Sequence, residues 1–493
     1  MEANSSVRSI FRNISPLDHR YSLSEEALFN ALVPWISEEA SVRACVRAEI
    51  ALVIAHLLVR GKLTQQLRQE LEKAGEAIES AEVYAEEEKT RHFIRALVNV
   101  LKKKVTVTFS ALIHLGATSA DILDTSLAWR VRGVTGEVLL PELKKLELLL
   151  CDFAEKEAET PQVGRTHGQH AVPITVGFAF AEYVSRLGKS ILEIERLEKN
   201  LKGKLAGAVG AYNATAMIVK DPEELERLYL AELGLEPSEH STQLVEPEYM
   251  LRLLLEFNTA FGIIANLADD LRNLQRSEIA ELKEGFAAEQ VGSSTMPQKR
   301  NPWNSEHVKS LWKAFMPRVM TFFMDQISEH QRDLSNSASQ RFIADYIAGF
   351  ALAVSRMAHV IKGLGADRER LLANLNGSAD SGGISGGVLA EPAYILLAES
   401  GVSDAHEVIR KITLAAEKEK IGFARALVRE KENFSRIAAK MAELGIIDSA
   451  AGEKAAPCDL AGAWFEKPER YCGLAAKKAR GIAEKYKKLF GND

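Results

Sequence analysis

Apolar residues in this chain return every three or four positions, and that spacing restricts it to helices packed along their sides. Leu139, Leu143, Leu146, Leu150 and Phe153 form one such stripe. Glu142, Lys145, Glu147 and Asp152 fall between them and are expected to face water. The same spacing predicts a long helix over 250–276, free of Gly and Pro except for Gly262. A third runs from Pro302 to about Gln331, with a kink or join at Pro317. Strand-like alternation is scarce. Helix breakers are scarce too, since the 493 residues hold 32 Gly and 14 Pro, less than ordinary usage. The fold class expected is therefore all-α, built on long packed helices.

A chain of this length divides into two or three domains. Boundaries are expected near 115 and 370. They give an N-terminal helical domain (1–115), a central long-helix domain (116–370) and a C-terminal helical domain (371–493). Two stretches break the helical pattern. One is the loop at 285–302, GFAAEQVGSSTMPQKRNP; the other is 377–387, GSADSGGISGG.

Charge and cysteine usage exclude several functions. Lys and Arg number 62 against 68 Asp and Glu, a net charge of −6, which suits no nucleic-acid partner that needs a basic stripe. No apolar run approaches the ~20 residues that cross a bilayer. The start, MEANSSVRSIF, has no apolar signal core, so a cytoplasmic protein without a membrane partner is expected. Cys45, Cys151, Cys458 and Cys472 form no CxxC pair. His167 and His170 make an HxxH pair without further ligands, so no metal is expected. Gly188-Lys189-Ser190 ends like a phosphate loop, but Tyr183 stands where its first glycine belongs. No cofactor is implied.

The strongest chemical signal is the run from Gly292 to Pro302, Gly-Ser-Ser-Thr-Met-Pro-Gln-Lys-Arg-Asn-Pro. Small residues leave backbone N–H groups open. Lys299 and Asn301 add a cation and an amide two residues apart, and Pro302 suits the first turn of a helix. Together these groups can hold a carboxylate beside a serine.

This run resembles the signature of the fumarase/aspartase superfamily, G-S-S-x-M-P-x-K-x-N, at every fixed position. Further stretches resemble its adenylosuccinate lyase branch, in the expected order. They are Ser15 to Tyr21 (SPLDHRY), Thr90-Arg91-His92, His114 to Asp121 (HLGATSAD), Gly164 to Gly168 (GRTHG), Thr242-Gln243 and Arg332 to Ser337 (RDLSNS), with Arg341 following. The resemblance spans nearly the whole chain.

That resemblance implies a three-domain fold whose central helices assemble into a tetrameric 20-helix core, with active sites shared among subunits of a homotetramer. It implies β-elimination of fumarate from nucleotide substrates, namely adenylosuccinate and the succinocarboxamide ribotide SAICAR. Ser293 corresponds to the base, with Lys299 and Asn301 holding the carboxylate that gains charge. His167 corresponds to the general acid and Glu306 to its carboxylate partner, which orients an imidazole. His92 corresponds to a second active-site histidine; a packed histidine within a helix over 90–101 is the alternative. Arg20 and Tyr21, and likewise Ser337 and Arg341, correspond to phosphate and ribose contacts, for which the arginine fork is suited. Arg332 belongs to the same segment. Thr118, Ser119 and Gln243 correspond to groups around the succinyl carboxylates, with His114, Asp121 and Thr166 beside them.

Three departures set the chain apart, the first bearing on the role of His92 and the other two on substrate choice. Phe93 follows His92 where the family has an aspartate, Leu-Val-Glu-Pro follows Gln243 in place of Arg-Asp, and Gln331 replaces an acid before Arg332. Two other functions compete with the leading one. One is a sister lyase with a different amine leaving group, such as argininosuccinate lyase. The other is a noncatalytic structural relative, against which the full catalytic set stands.

Overall fold

The structure is a computed structural model that describes residues 9–286, 292, 294–377, 385–447 and 456–491. It is mostly helical. Among the described residues the only extended elements are one hairpin and two pairs of two-residue strands. The chain divides into two compact units. The first comprises Met1–Lys144, Lys189–Ala265 and Ser310–Arg356, and the second Lys145–Gly188, Asn266–Lys309 and Met357–Asp493. The divisions fall inside five helices, Leu140–Lys156, Val176–Lys199, Glu248–Leu274, Trp303–Phe315 and Ile343–Gly363.

In the first unit, the helix Glu38–Val59 is buried almost all round from Ala44 to Leu57, as its mostly apolar sequence requires. It begins at Ser37, whose hydroxyl accepts from the Ala40 amide at 3.0 Å. The helix Ser119–Val134 packs near it, and Trp35 and Trp129 meet at 5.1 Å between ring centroids. A Cβ on Gly133 would lie 1.9 Å from the Trp35 ring, so only glycine admits this approach. A second apolar centre joins Phe257 and Phe261 to Phe350, at 5.6 and 5.3 Å, where offset rings pack favourably.

The stripe Leu139, Leu143, Leu146, Leu150 and Phe153 is buried as expected. Glu147 corrects the rest of that reading, because it is fully buried rather than exposed. The helix Ala475–Phe490 supplies the cause. A Cβ on Gly188 would meet both the Tyr486 ring (2.3 Å) and the Glu147 carboxyl (2.8 Å), so the three lie against one another within the second unit. Elsewhere in that unit, Leu389 to Phe465 furnish a separate apolar centre.

Three other expectations change. The helix starting near Pro302 ends at Phe315, resumes over Arg318–Met324 and stops there, well before Gln331. Arg332 explains the stop, because its two terminal nitrogens each donate at 2.9 Å to the Asp325 and Gln326 carbonyls, where the next turn would bond. The helix over 90–101 is broken: Arg91 takes φ 52°, and His92 caps a new helix, Phe93–Lys104. The helix Glu248–Leu274 is long and apolar enough to cross a membrane by length and composition. Arg252, Glu256, Asp269 and Asp270 interrupt it in sequence, which is why no continuous apolar run marks it.

Candidate active site

The motif residues are held by three local constructions, two in the first unit and one in the second.

The first is the turn at 114–118. His114 and Gly116 both take left-handed backbone angles, φ 60° and 80°. The Leu115 carbonyl accepts from His56 Nε2 at 2.8 Å, and Arg60 donates to His56 Nδ1 at 2.9 Å. That pair of contacts fixes the His56 tautomer, and burial lowers its pKa, so the ring is neutral. Thr118 then caps Ser119–Val134, with its amide donating to Asp121 Oδ2 at 2.8 Å. Asp121 is fully buried and ion-paired with the equally buried Lys204. It therefore supports Thr118 from behind. Thr118, Ser119 and His114 remain half-exposed at the helix N-terminus, where amides and dipole favour an anion. His114 Nδ1 meets Glu49 Oε1 at 2.7 Å.

The second construction gathers the phosphate candidates. The Gln243 amide donates to the Gln331 carbonyl at 3.2 Å, tying that strand to the 331–341 segment. Arg332 takes φ 75° and spends its terminal nitrogens on backbone carbonyls, so it braces the turn. Ser337 and Arg341 are exposed. Arg341 lies within electrostatic reach of Tyr84, and the Tyr84 ring is 6.4 Å from that of Phe93. His92, next to Phe93, is exposed and accepts from the Arg95 amide at 3.2 Å. Phe93 thus has a local packing role where the family has an acid. Asp18 is within electrostatic reach of Asp345, four residues after Arg341. Arg20 is exposed and Tyr21 half-buried in the short helix Arg20–Ser24.

The third construction carries the catalytic candidates. Pro161–Thr166 pairs antiparallel with Gln169–Thr175. His167 and Gly168 form its turn with φ 55° and 72°, the two successive left-handed residues that a tight hairpin needs. Thr166 and His167 are exposed at this tip. The first strand of the hairpin is anchored by the fully buried Glu281, which accepts from Gln162 (2.8 Å), from both terminal nitrogens of Arg165, and from Asn374 (2.9 Å).

In the signature loop, Ser293 and residues 287–291 lie outside the described residues, as do 378–384 of the second glycine-rich stretch. The rest of the loop folds back on itself. A Cβ on Gly292 would lie 2.1 Å from the Lys299 carbonyl, and Asn301 Nδ2 donates to the Gly292 carbonyl at 3.2 Å. Gln275 donates to the Arg300 carbonyl at 3.2 Å. Glu284 caps the following helix, accepting from the Ser305 amide at 2.8 Å. The loop borders a cleft of 540 Å³ lined by Arg272, Arg276, Lys299, Arg300, Asn301 and Glu306 among others. Four cations face one carboxylate, so the cleft suits an anionic ligand. Among the described residues no hydrogen bond joins His167 to Glu306, and both are exposed.

Sequence reasoning missed Glu49, His56, Lys204 and Glu281, the buried groups that hold the motifs. Glu49 and His56 carried a visible signal: an acid and a histidine in the largely apolar run VRAEIALVIAH.

A family described as lyase matches residues 20–314, and one described as adenylosuccinate lyase C-terminal matches residues 328–446. The adenylosuccinate lyase of Pyrococcus abyssi is 33% identical over 414 residues, covering 82% of this chain and 88% of that protein. Those of Archaeoglobus fulgidus (31%; 82% and 87%) and Methanocaldococcus jannaschii (30%; 88% and 92%) are similar. In fold, the chain resembles the 3-carboxy-cis,cis-muconate lactonizing enzyme from Pseudomonas putida, with TM-score 0.76, 22% identity and coverage of 94% and 98%. It also resembles a fumarate lyase from a Mesorhizobium species, with TM-score 0.75, 18% identity and coverage of 92% and 97%.

Proposed function

This chain belongs to the adenylosuccinate lyase family of the fumarase/aspartase superfamily, and from that membership we propose how its residues work. It is a C–N lyase of purine nucleotide biosynthesis that releases fumarate from adenylosuccinate, leaving AMP, and from SAICAR, leaving the carboxamide ribotide. The observation that carries the reading is the match of both family regions, 20–314 and 328–446, to one chain.

The reaction removes a proton from the carbon beside a carboxylate, and the C–N bond then breaks. Charge accumulates on that carboxylate, so the site must stabilise an anion in its own plane. Lys299 and Asn301 do this from the cationic cleft, and Ser293 takes the proton. A serine serves as base only where cations and amides stabilise its alkoxide, and the cleft that the loop borders holds Arg272, Arg276 and Lys299. His167 donates the proton that the departing nitrogen requires, with Glu306 orienting it, and His92 serves as a second active-site histidine. Arg20, Tyr21, Ser337 and Arg341 hold the phosphate and ribose. Thr118, Ser119 and Gln243 hold the succinyl side; His114 lines the same wall and binds the substrate, and Asp121, Thr166 and Arg332 support these groups.

The chain works as a cytoplasmic homotetramer with shared sites, its long helices forming the common core and its sequence dividing near 115 and 370. The exposed His167 and Glu306, unjoined within one chain, are supported by that arrangement, since a catalytic pair needs a partner within hydrogen-bond reach.

Adenylosuccinate, SAICAR and argininosuccinate supplied separately, with fumarate release followed in each case, decide the substrate. Release from the first two and not the third is expected. Release from argininosuccinate alone would establish the sister activity, and release from none would leave a noncatalytic relative.

A further inference from the structure

Glu49 sits in the middle of the apolar helix Glu38–Val59 with no solvent exposure. Its Oε1 meets His114 Nδ1 at 2.7 Å. Its Oε2 is buried and has no hydrogen-bond partner among the described residues. A buried carboxylate with one partner and one idle oxygen costs the fold stability rather than adding to it.

The turn that carries His114 does not need Glu49 for its shape. His56 holds the Leu115 carbonyl, Asp121 holds the Thr118 amide, and Lys204 neutralises Asp121. What Glu49 does fix is the imidazole. A carboxylate can only accept, so Nδ1 carries a proton, and a second proton on Nε2 makes that nitrogen a donor for another partner. Among the described residues the ring has no hydrogen-bond partner but Glu49, and 23% of its side chain is exposed, beside the half-exposed Thr118 and Ser119.

We propose that Glu49 is a positioning residue: it holds His114 by Nδ1–H and supports the doubly protonated ring, so that Nε2–H donates to an anionic group of the bound substrate. This rests on the reading of His114 as a substrate-binding residue. The anionic group is a carboxylate or a phosphate, and the two products, fumarate and AMP, separate these sources.

Glu49→Leu removes the charge and suits the apolar helix, so it should fold with an unchanged or higher Tm. Its KM for adenylosuccinate should rise about tenfold, the effect of an unsupported charged hydrogen bond, with kcat within about twofold. Glu49→Gln, which can still accept from Nδ1–H, should recover part of the loss. In a His114→Ala background, Glu49→Leu should change KM by less than about twofold, because the two residues act as one. Weakened inhibition by AMP alone places the contact on the phosphate, and by fumarate alone on the carboxylate. An unchanged KM in Glu49→Leu overturns the proposal, as does an equal KM change in both backgrounds. If Glu49→Leu does not fold, Glu49→Gln is read in its place; if neither folds, Glu49 is a stability residue and the proposal falls. An unchanged KM in His114→Ala alone instead removes the underlying reading of His114.

Discussion

At the scale of single residues, the chain separates groups placed for chemistry from groups placed under them. Ser293→Ala should lower turnover about a thousandfold or more, as loss of a general base does, while adenylosuccinate still binds in a calorimetric titration. Substantial residual turnover would assign the base elsewhere. Glu147 offers a test independent of catalysis. Burial without a hydrogen-bond partner pushes its carboxyl up to about 9 from an ordinary 4.5. The folded state therefore keeps a proton that the unfolded chain loses. This group's contribution is full below about pH 4.5 and is lost as the pH rises toward about 9, by about 1.4 kcal/mol per unit. Glu147→Gln should match the wild type near pH 4.5 and melt higher than it at pH 8. Equal Tm differences at the two values would show that the carboxyl is not held neutral.

At the scale of elements, the hairpin at 161–175 is set by one buried carboxylate. Glu281 joins its first strand, through Gln162 and Arg165, to Asn374 of the helix Arg368–Leu375. Glu281→Gln leaves Arg165, itself mostly buried, without a counter-ion, and should cost about 3 kcal/mol in urea denaturation. It should also lower kcat, because His167 rides on that hairpin's tip. A stability loss without any change in kcat would mean that the tip is fixed by other contacts.

Elements were legible in the sequence where a single stripe of apolar residues decided them. The buried run from Leu139 to Phe153 and the helix Glu248–Leu274 follow from spacing alone. The break at His92 did not, because nothing in Thr-Arg-His announces that Arg91 takes a left-handed angle. Nor did the hairpin, whose Gly-Arg-Thr-His-Gly centre lacks strand alternation. Site residues were legible through motif strings, which name the groups that meet a ligand. Their supports were not: Glu49 and His114 are 65 positions apart and Arg165 and Glu281 are 116 apart. A pairing at such a distance is a property of the folded chain.

At the scale of the whole molecule, the proposed assembly makes a prediction that no single-chain enzyme shares. His167→Ala and Ser293→Ala should each be inactive as homogeneous proteins. Mixed and allowed to exchange subunits, they should recover activity, because some sites would then draw an intact histidine and an intact serine from different chains. A mixture as inactive as its parts would place the whole site within one subunit.

The burial of Glu147 also has a consequence for synthesis. Its helix and the Gly188 region leave the ribosome long before the Ala475–Phe490 helix that brings Tyr486 against them. Until that helix emerges, the carboxyl remains hydrated and ionised, and this face stays open to the folding machinery of the cell. The second unit can therefore finish packing only after that helix is made, when it turns an ionised surface acid into a neutral interior one.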